Sequence, residues 1–277
     1  MGVRPVPVEF LSAEQCRRYG RFAGEPTAAQ LGRFFHLDGT DLALIATRRQ
    51  DHNRLGMAVQ LGTVRFLGTF LENPSEVPAG VVGHVVEQLV VAGLLGQVGE
   101  SFEGLKLYRD GEARWDHQAQ IRARYGFREF SDGGVQLGLI RWLYARCWVM
   151  AERPSVLFDL ATARLVDARV LLPGASVLAR LVARVRERVA ARLWSKLAGL
   201  VDDEHRQRLE RLLVVPDGAR TSPLEQLRRP PAALNARAMV DALARIEELG
   251  GYEVVGLDLS GLPQGAGQRA GPLRHRG

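Results

Sequence analysis

The segment RRQDHNRLGMAVQLGTVRFLGTFL, residues 48–71, decides the fold of the region around it. A mostly apolar residue recurs at every fourth position, which predicts a long helix with one buried stripe. The stripe is Leu55, Val59, Thr63, Leu67 and Leu71. Arg54 and Arg65 are eleven residues apart, so they are expected on one polar flank, about 16 Å apart along the axis. Gly56, Gly62 and Gly68 each weaken helix propensity by about 1 kcal/mol relative to Ala, unless a backbone or ligand approaches closely there.

Helical signals continue on both sides of this segment and predict an all-α protein of multi-helix bundles. Ser12 followed by Gln15 is typical of a capped helix start. Two further short helices are expected between residues 26 and 49, with tight turns at 24–26 and 38–39. Three short helices joined by tight turns are typical of helix-turn-helix DNA-binding elements.

The rest of the chain predicts further helices separated by breaks. Residues 74–78 carry two prolines, and residues 90–113 are rich in glycine and acids, so we expect an irregular connection there. Pro154 predicts a soft domain boundary. The expected domains are an N-terminal helical DNA-binding domain at 1–153, a second helical region for DNA binding or dimerisation at 154–260, and an atypical, disordered tail at 261–277.

The most regular periodicity lies in residues 176–200, where cations line one flank of an apolar face. The cations are Arg180, Arg184, Arg188, Arg192 and Lys196. Like charges four residues apart repel each other in a helix, so this flank needs a compensating partner. The partner is either a polyanion or a set of acids from elsewhere in the chain, such as Asp202, Asp203 and Glu204. Both interpretations stay open.

Composition bounds the function only loosely. The net charge is +6, and 35 of the 37 basic residues are arginine, which suits phosphate and guanine edges. Codon usage in a GC-rich genome explains the same bias equally well. There is no run of eighteen apolar residues for a membrane span and no secretion signal, so we expect the cytoplasm. Cys16 and Cys147 are expected to be buried free thiols.

The sequence offers no active site, metal site or cofactor site. The six histidines are isolated, and neither cysteine has a metal-ligand neighbour at short spacing. Nucleophile-elbow, phosphate-loop and dinucleotide-binding glycine motifs are missing from the sequence. The expectation is a chain that is not an enzyme and needs no cofactor.

Several long motifs resemble the N-terminal region of the Tn-three family of transposases, from bacterial replicative transposons. The longest is YGRFAGEPTAAQLGRFFHLDGTDLALIATRRQDHNRLGMAVQLGTVRFLGTF at 19–70. It is followed by RWDHQAQIRARYGFREF at 114–130, LLPGASVLARLVARVRERVAARLW at 171–194, RLLVVPDGARTSPLEQLRR at 211–229 and GLDLSGLP at 256–263. Residues 90–107 and the residues after 263 depart from the family pattern. We expect from this a truncated, frameshifted copy of a transposase gene.

The resemblance implies a helical region that binds double-stranded DNA at the transposon's terminal inverted repeats. It implies that the RNase-H-like catalytic domain lies outside this chain. Homodimers or complexes with full-length transposase are possible partners, and an interaction module or a non-functional remnant are the alternative interpretations. A membrane partner is not expected.

Candidate DNA-contacting residues fall into three groups. They are Arg48, Arg49, Asn53, Arg54 and Arg65 on the long helix and just before it, then Arg122, Arg124, Tyr125 and Arg128, and finally Arg180, Arg184 and Arg188. At a helix start, backbone amides and the helix dipole favour phosphate, and Asn and Arg can also read adenine and guanine edges. The alternative for Arg54 is a salt bridge to Asp51 or Asp41 that holds the bundle together.

Overall fold

A computed structural model of the protein describes residues 10–96, 101–230, 235–250, 252 and 260–263. The chain divides into two compact units, Met1–Arg186 and Glu187–Gly277, and each is described by itself. The described residues form thirteen α-helices and no β-strand. The predicted all-α class is confirmed, while the helix-turn-helix arrangement stays a prediction.

The helices of the first unit are α1 Ala13–Arg18, α2 Ala28–Phe34, α3 Gly39–Ala46, α4 Asp51–Leu67, α5 Ala79–Val91, α6 Ser101–Asp110, α7 Ala113–Tyr125, α8 Gly133–Val149 and α9 Pro154–Asp167. A 3-10 turn covers Pro74–Glu76. The division between the units falls within α10, Ala175–Ala198. The second unit continues with α11 Asp203–Arg211, α12 Pro223–Arg228 and α13 Ala236–Gly250.

Local sequence explains where the short helices begin and end. Ser12, Thr27 and Asp38 each form a reciprocal capping box, with their side chains and the third helical residue satisfying backbone N–H groups. Gly68 and Gly126 follow α4 and α7 with φ of +72° and +69°. Glycine adopts this left-handed conformation without the penalty that a Cβ imposes, so both helices end where the sequence places a glycine.

The helix α4 is the centre of the first unit, and the prediction of a single buried stripe with a polar flank is wrong. All ten residues from Leu55 to Val64 are buried. The segment contains no charged residue, and neighbouring helices cover it on every side, as is typical of a helix that is apolar all round. The predicted stripe also overran the helix, because Leu71 lies beyond its end.

Two glycines of α4 lie against aromatic rings. A Cβ on Gly56 would lie 2.1 Å from Cγ of Tyr108, and one on Gly62 would lie 2.2 Å from Cδ1 of Phe35. The glycines therefore allow both rings to contact the α4 backbone. A close approach was expected at these glycines from another backbone or a ligand, but the approaching groups are aromatic side chains of the protein itself.

Two further expectations are corrected by the structure. The irregular connection predicted for 90–113 is wrong for residues 101–110, which form α6 despite an internal glycine. Buried Leu105 and Tyr108 of this helix face the core, so tertiary packing outweighs weak local propensity. Cys16 and Cys147 form no disulfide with each other, and only Cys147 is buried. Cys16 is exposed on α1, whose six residues include no buried one.

The break at Pro154 is a turn inside the first unit, whereas the sequence predicted a soft domain boundary there. The rings of Tyr19 and Phe158 pack with centroids 5.1 Å apart, and the Leu172 N–H donates to the Gly68 carbonyl at 2.8 Å. The first contact joins α9 to the residue that follows α1, and the second joins the chain after α9 to the residue that follows α4. The compact units divide after Arg186 instead. The functional assignment of the domains stays a prediction.

The backbone just before α8 and the backbone just after α9 lie side by side. The Arg128 N–H donates to the Arg169 carbonyl, and the Leu171 N–H donates to the Arg128 carbonyl, both at 2.9 Å. These bonds form an isolated parallel bridge between Arg128 and Val170. The segment 129–169 is therefore closed at its base by backbone hydrogen bonds.

In the second unit, α13 carries exposed apolar side chains along one side. Among the described residues, no helix is long and apolar enough to cross a membrane. The predicted disordered tail starts at 261, and its residues 264–277 lie outside the described part of the chain.

Candidate nucleic-acid interface

A buried carboxylate joins three helices of the first unit. The side chain of Asp41 on α3 is 1% exposed and receives two hydrogen bonds from the Arg65 guanidinium on α4, at 2.8 and 2.9 Å. The Tyr125 hydroxyl on α7 donates to the same carboxylate at 2.6 Å. The guanidinium also lies over the Tyr125 ring, 5.0 Å from its centroid. We call Asp41, Arg65 and Tyr125 the buried triad.

Electrostatics favour a charged pair and a neutral phenol in the buried triad. Burial raises the pKa of Asp41, but hydrogen bonds from Arg65 and Tyr125 outweigh it and hold that pKa below its usual range. Burial and the neighbouring carboxylate raise the pKa of the Tyr125 phenol. Contact of Arg65 and Tyr125 with DNA stays a prediction; in the structure, Nη1 and Nη2 of Arg65 and the Tyr125 hydroxyl bond to Asp41.

The side chain of Arg54 links the start of α4 to neighbouring segments of the backbone. Its Nε donates to the Arg48 carbonyl at 2.8 Å, and its Nη1 donates to the Leu94 carbonyl at 3.1 Å. The same Nη1 lies 2.9 Å from the Asp51 carboxylate. The alternative of a salt bridge to Asp51 is therefore confirmed, and Asp41 pairs with Arg65 instead. Base reading by Arg54 stays a prediction.

The other predicted residues at the start of α4 differ in how they are held. Arg48 is half-buried and donates to the Thr47 hydroxyl at 2.6 Å through Nη2. Asn53 donates to the Gln50 side chain at 3.0 Å. Arg49 is exposed, and within the described part of the chain no hydrogen bond or ion pair engages its side chain. Arg49 therefore has the guanidinium most available to a phosphate here.

The end of α7 carries a second group of cations. Arg122 forms an ion pair with Glu129. Arg124 and Arg128 are exposed, and no described carboxylate lies within ion-pair distance of either guanidinium. Arg169, which the sequence analysis missed, is exposed beside them and donates from Nη1 to the Tyr125 carbonyl at 3.0 Å. The triad contact of Tyr125 therefore fixes the position of these arginines relative to α3 and α4.

The helix α10 presents its predicted cations to solvent. Leu178, Val182 and Val185 are buried, while Arg180, Arg184 and Arg188 are exposed. Arg180 donates to the Ser176 carbonyl of its own helix at 3.2 Å. Among the described residues, none of these three arginines forms an ion pair with an acid of its own unit.

The structure also shows a buried polar pair that sequence reasoning missed. The His117 ring on α7 is 3% exposed and lies 3.2 Å from the Tyr108 hydroxyl through Nδ1. Burial, followed by the charge of Arg48, lowers the pKa of His117 to about 4. His117 is therefore neutral at neutral pH. No group of three potential metal ligands occurs among the described residues.

Comparison with known proteins assigns the chain to a class. It belongs to the family described as "Domain of unknown function (DUF4158)", whose model matches residues 10–185. Among curated proteins it is 45% identical over 260 residues to the transposase for transposon gamma-delta of Escherichia coli strain K12, covering 93% of this chain and 25% of that protein.

More distant relatives are also transposases. The transposase for transposon Tn3926 of Escherichia coli is 29% identical over 221 residues, covering 79% of this chain and 21% of the relative. The transposase for transposon Tn1546 of Enterococcus faecium is 24% identical over 235 residues, covering 84% of this chain and 23% of the relative. The resemblance to the N-terminal part of Tn-three family transposases is thereby confirmed. The chain spans about a quarter of the length of these relatives.

Proposed function

We propose that this chain acts in transposition by binding double-stranded DNA at the transposon's terminal inverted repeats, without carrying out catalysis itself. The relatives are transposases, which supports a role in transposition. The observation that carries the proposal is the exposed arginines at the end of α7, which lack described acidic partners and lie on a turn fixed by the buried triad. Rigidly placed, unneutralised guanidinium groups suit phosphates and base edges.

We propose two roles for the predicted residues. Residues with exposed and uncommitted side chains are proposed to contact DNA, and they are Arg49, Arg124, Arg128, Arg184 and Arg188. The other predicted residues are already engaged with the protein. Among them, Arg48, Asn53, Arg54, Arg65, Arg122 and Tyr125 are proposed to hold the backbone beside these arginines in place, and Arg180 bonds to its own helix. Only the first set should contribute directly to the salt dependence of binding.

Fluorescence anisotropy over a salt series tests the proposal. The probes are a duplex of about forty base pairs carrying the element's terminal repeat and a scrambled duplex of equal composition. End recognition predicts a preference for the repeat on the order of a thousandfold and a steep loss of affinity with salt. Equal affinity for the two duplexes would contradict specific recognition.

Paired variants test the assignment of the α7 group. Arg124→Ala is expected to lower the salt slope by about one if the guanidinium binds a phosphate, or to relax sequence preference if it reads a base. Arg17→Ala is the matched control, because it removes the same charge from a guanidinium already paired with Glu14 at 2.6 Å. The control should bind both duplexes like the unmodified protein. An equal effect of the two variants would show that only net charge matters.

A second candidate function, pairing with another copy of this chain, is favoured by α13. Its apolar side chains are 48–63% exposed and recur at three- and four-residue steps, as in helix–helix seams. They are Met239, Val240, Leu243, Ile246 and Leu249. A second copy offers the same stripe, so the contact would be self-complementary.

Sedimentation analysis tests this pairing. A dimer that Leu243→Glu dissociates would support it, with Asp241→Lys on the opposite side of α13 as the control. A monomer at high concentration, or equal effects of the two substitutions, would refute it.

A further inference from the structure

The backbone at Arg169 adopts a conformation that does not suit its residue type. Its φ is +52°, and it is the one non-glycine residue with positive φ in the described part of the chain. The other positive-φ positions there are Gly20, Gly24, Gly68, Gly93, Gly126 and Gly218. A side chain in the left-handed region crowds the following carbonyl, whereas glycine carries no such penalty. Residues with such strained backbones cluster at binding and active sites, so the side chain of Arg169 is a candidate for a functional role.

The fold around Arg169 does not need an arginine. Its N–H donates to the Val166 carbonyl at 3.0 Å and its carbonyl accepts from Arg128 at 2.9 Å, and a glycine would retain both bonds. Only the bond from Nη1 to the Tyr125 carbonyl uses the side chain, and it is exposed to solvent. At the end of α7, the N–H groups of Gly126 and Phe127 both donate to the Arg122 carbonyl, so this helix end also has backbone hydrogen bonds that do not involve Arg169.

We infer that Arg169 is a DNA-contacting residue that binds a backbone phosphate, and this rests on the proposed function. Its guanidinium lies at the carbonyl of the residue that follows Arg124, and its backbone is bonded to Arg128. No carboxylate among the described residues lies within ion-pair distance to neutralise it. Arg169 thus extends the surface of Arg124 and Arg128 with a third cation, held by two backbone bonds. A planar guanidinium with several N–H donors suits a phosphate.

The test uses Arg169→Gly in the full chain. Glycine suits the left-handed backbone, so the thermal midpoint should be unchanged or higher. Affinity for the repeat and the scrambled duplex should fall by the same factor, and the salt slope should decrease by about one. Arg169→Lys, which keeps the charge, should retain a slope close to that of the unmodified protein. Arg17→Ala, which removes a charge elsewhere, should leave the slope unchanged.

Each outcome separates this inference from the proposed function. An unchanged salt slope in Arg169→Gly would show that the side chain only contacts the Tyr125 carbonyl, and the inference would be wrong. If the unmodified protein binds both duplexes equally, end recognition fails, yet a reduced slope in Arg169→Gly still supports the phosphate contact. If the unmodified protein binds neither duplex, both are refuted.

Discussion

Replacing Asp41 by Asn tests how the buried triad holds the first unit together. Asparagine keeps the shape of the side chain, and its amide oxygen can still accept a hydrogen bond. The substitution removes the negative charge opposite Arg65, whose side chain is 24% exposed. Removing one member of a buried ion pair costs about 3–5 kcal/mol. Because water still reaches part of Arg65, we expect the lower end, a loss of about 3 kcal/mol.

Urea unfolding followed by tryptophan fluorescence measures this loss. Trp115, Trp142 and Trp148 lie in the first unit, and a Trp194→Phe background removes the signal of the second. A loss of about 3 kcal/mol corresponds to a thermal midpoint lower by roughly 6–12 °C for a unit of this size. The matched control is Asp51→Asn, which removes a carboxylate that is 60% exposed in its ion pair with Arg54. It should cost less than about 1 kcal/mol.

A double substitution identifies the cause of the loss. Arg65→Met added to Asp41→Asn removes the unpaired cation, so the double variant should lose less stability than the two single effects added together. The explanation would be refuted by strictly additive effects, or by Asp41→Asn costing no more than Asp51→Asn.

Two further predictions concern the core around α4. Gly56→Ala should destabilise the protein by about 1–2 kcal/mol, because the clash with the Tyr108 ring outweighs the better helix propensity. The control is Gly138→Ala, whose added Cβ meets nothing within 4 Å. It should be neutral or stabilising in the same urea assay. His117 has its pKa lowered to about 4 when folded, so the unfolded chain takes up the proton first. Stability should therefore fall as the pH drops from about 6.5 to about 4, by at most about 3 kcal/mol. His117→Gln should flatten that part of the pH profile, and an unchanged slope would contradict the assignment.

Much of the helical architecture follows from local sequence signals. Capping residues such as Ser12 and terminal glycines such as Gly126 mark helix ends through hydrogen bonds between near neighbours in the chain. The sequence also contains a signal for the burial of α4 on all sides, because residues 55–64 carry no charge. The four-residue periodicity by itself predicts only one buried face, which is why that prediction was wrong. The helix α6 could not be predicted from neighbouring residues in the sequence, because side chains such as Tyr108 stabilise it by packing on the distant Gly56.

The candidate site was only partly predictable. The abundance of arginine suggests a DNA-binding surface. It does not distinguish guanidinium groups that bond to other residues of the protein from those that remain available to DNA. Arg65 pairs with Asp41, 24 residues earlier in the chain, and Arg54 reaches a carbonyl 40 residues later. No spacing rule for a single helix captures such pairs. Arg169 was missed because a positive φ at an arginine has no sequence signal.

The closed base of the α8–α9 segment has an evolutionary consequence. Because the chain departs and returns through bonds between Arg128 and residues 169 and 171, the base of this segment is held by hydrogen bonds that do not depend on the length of the connection between α8 and α9. Insertions or deletions at its far end, near residues 150–153, could accumulate without displacing the arginines at its base. A change of length in this connection is therefore expected to leave the geometry at the end of α7 unchanged.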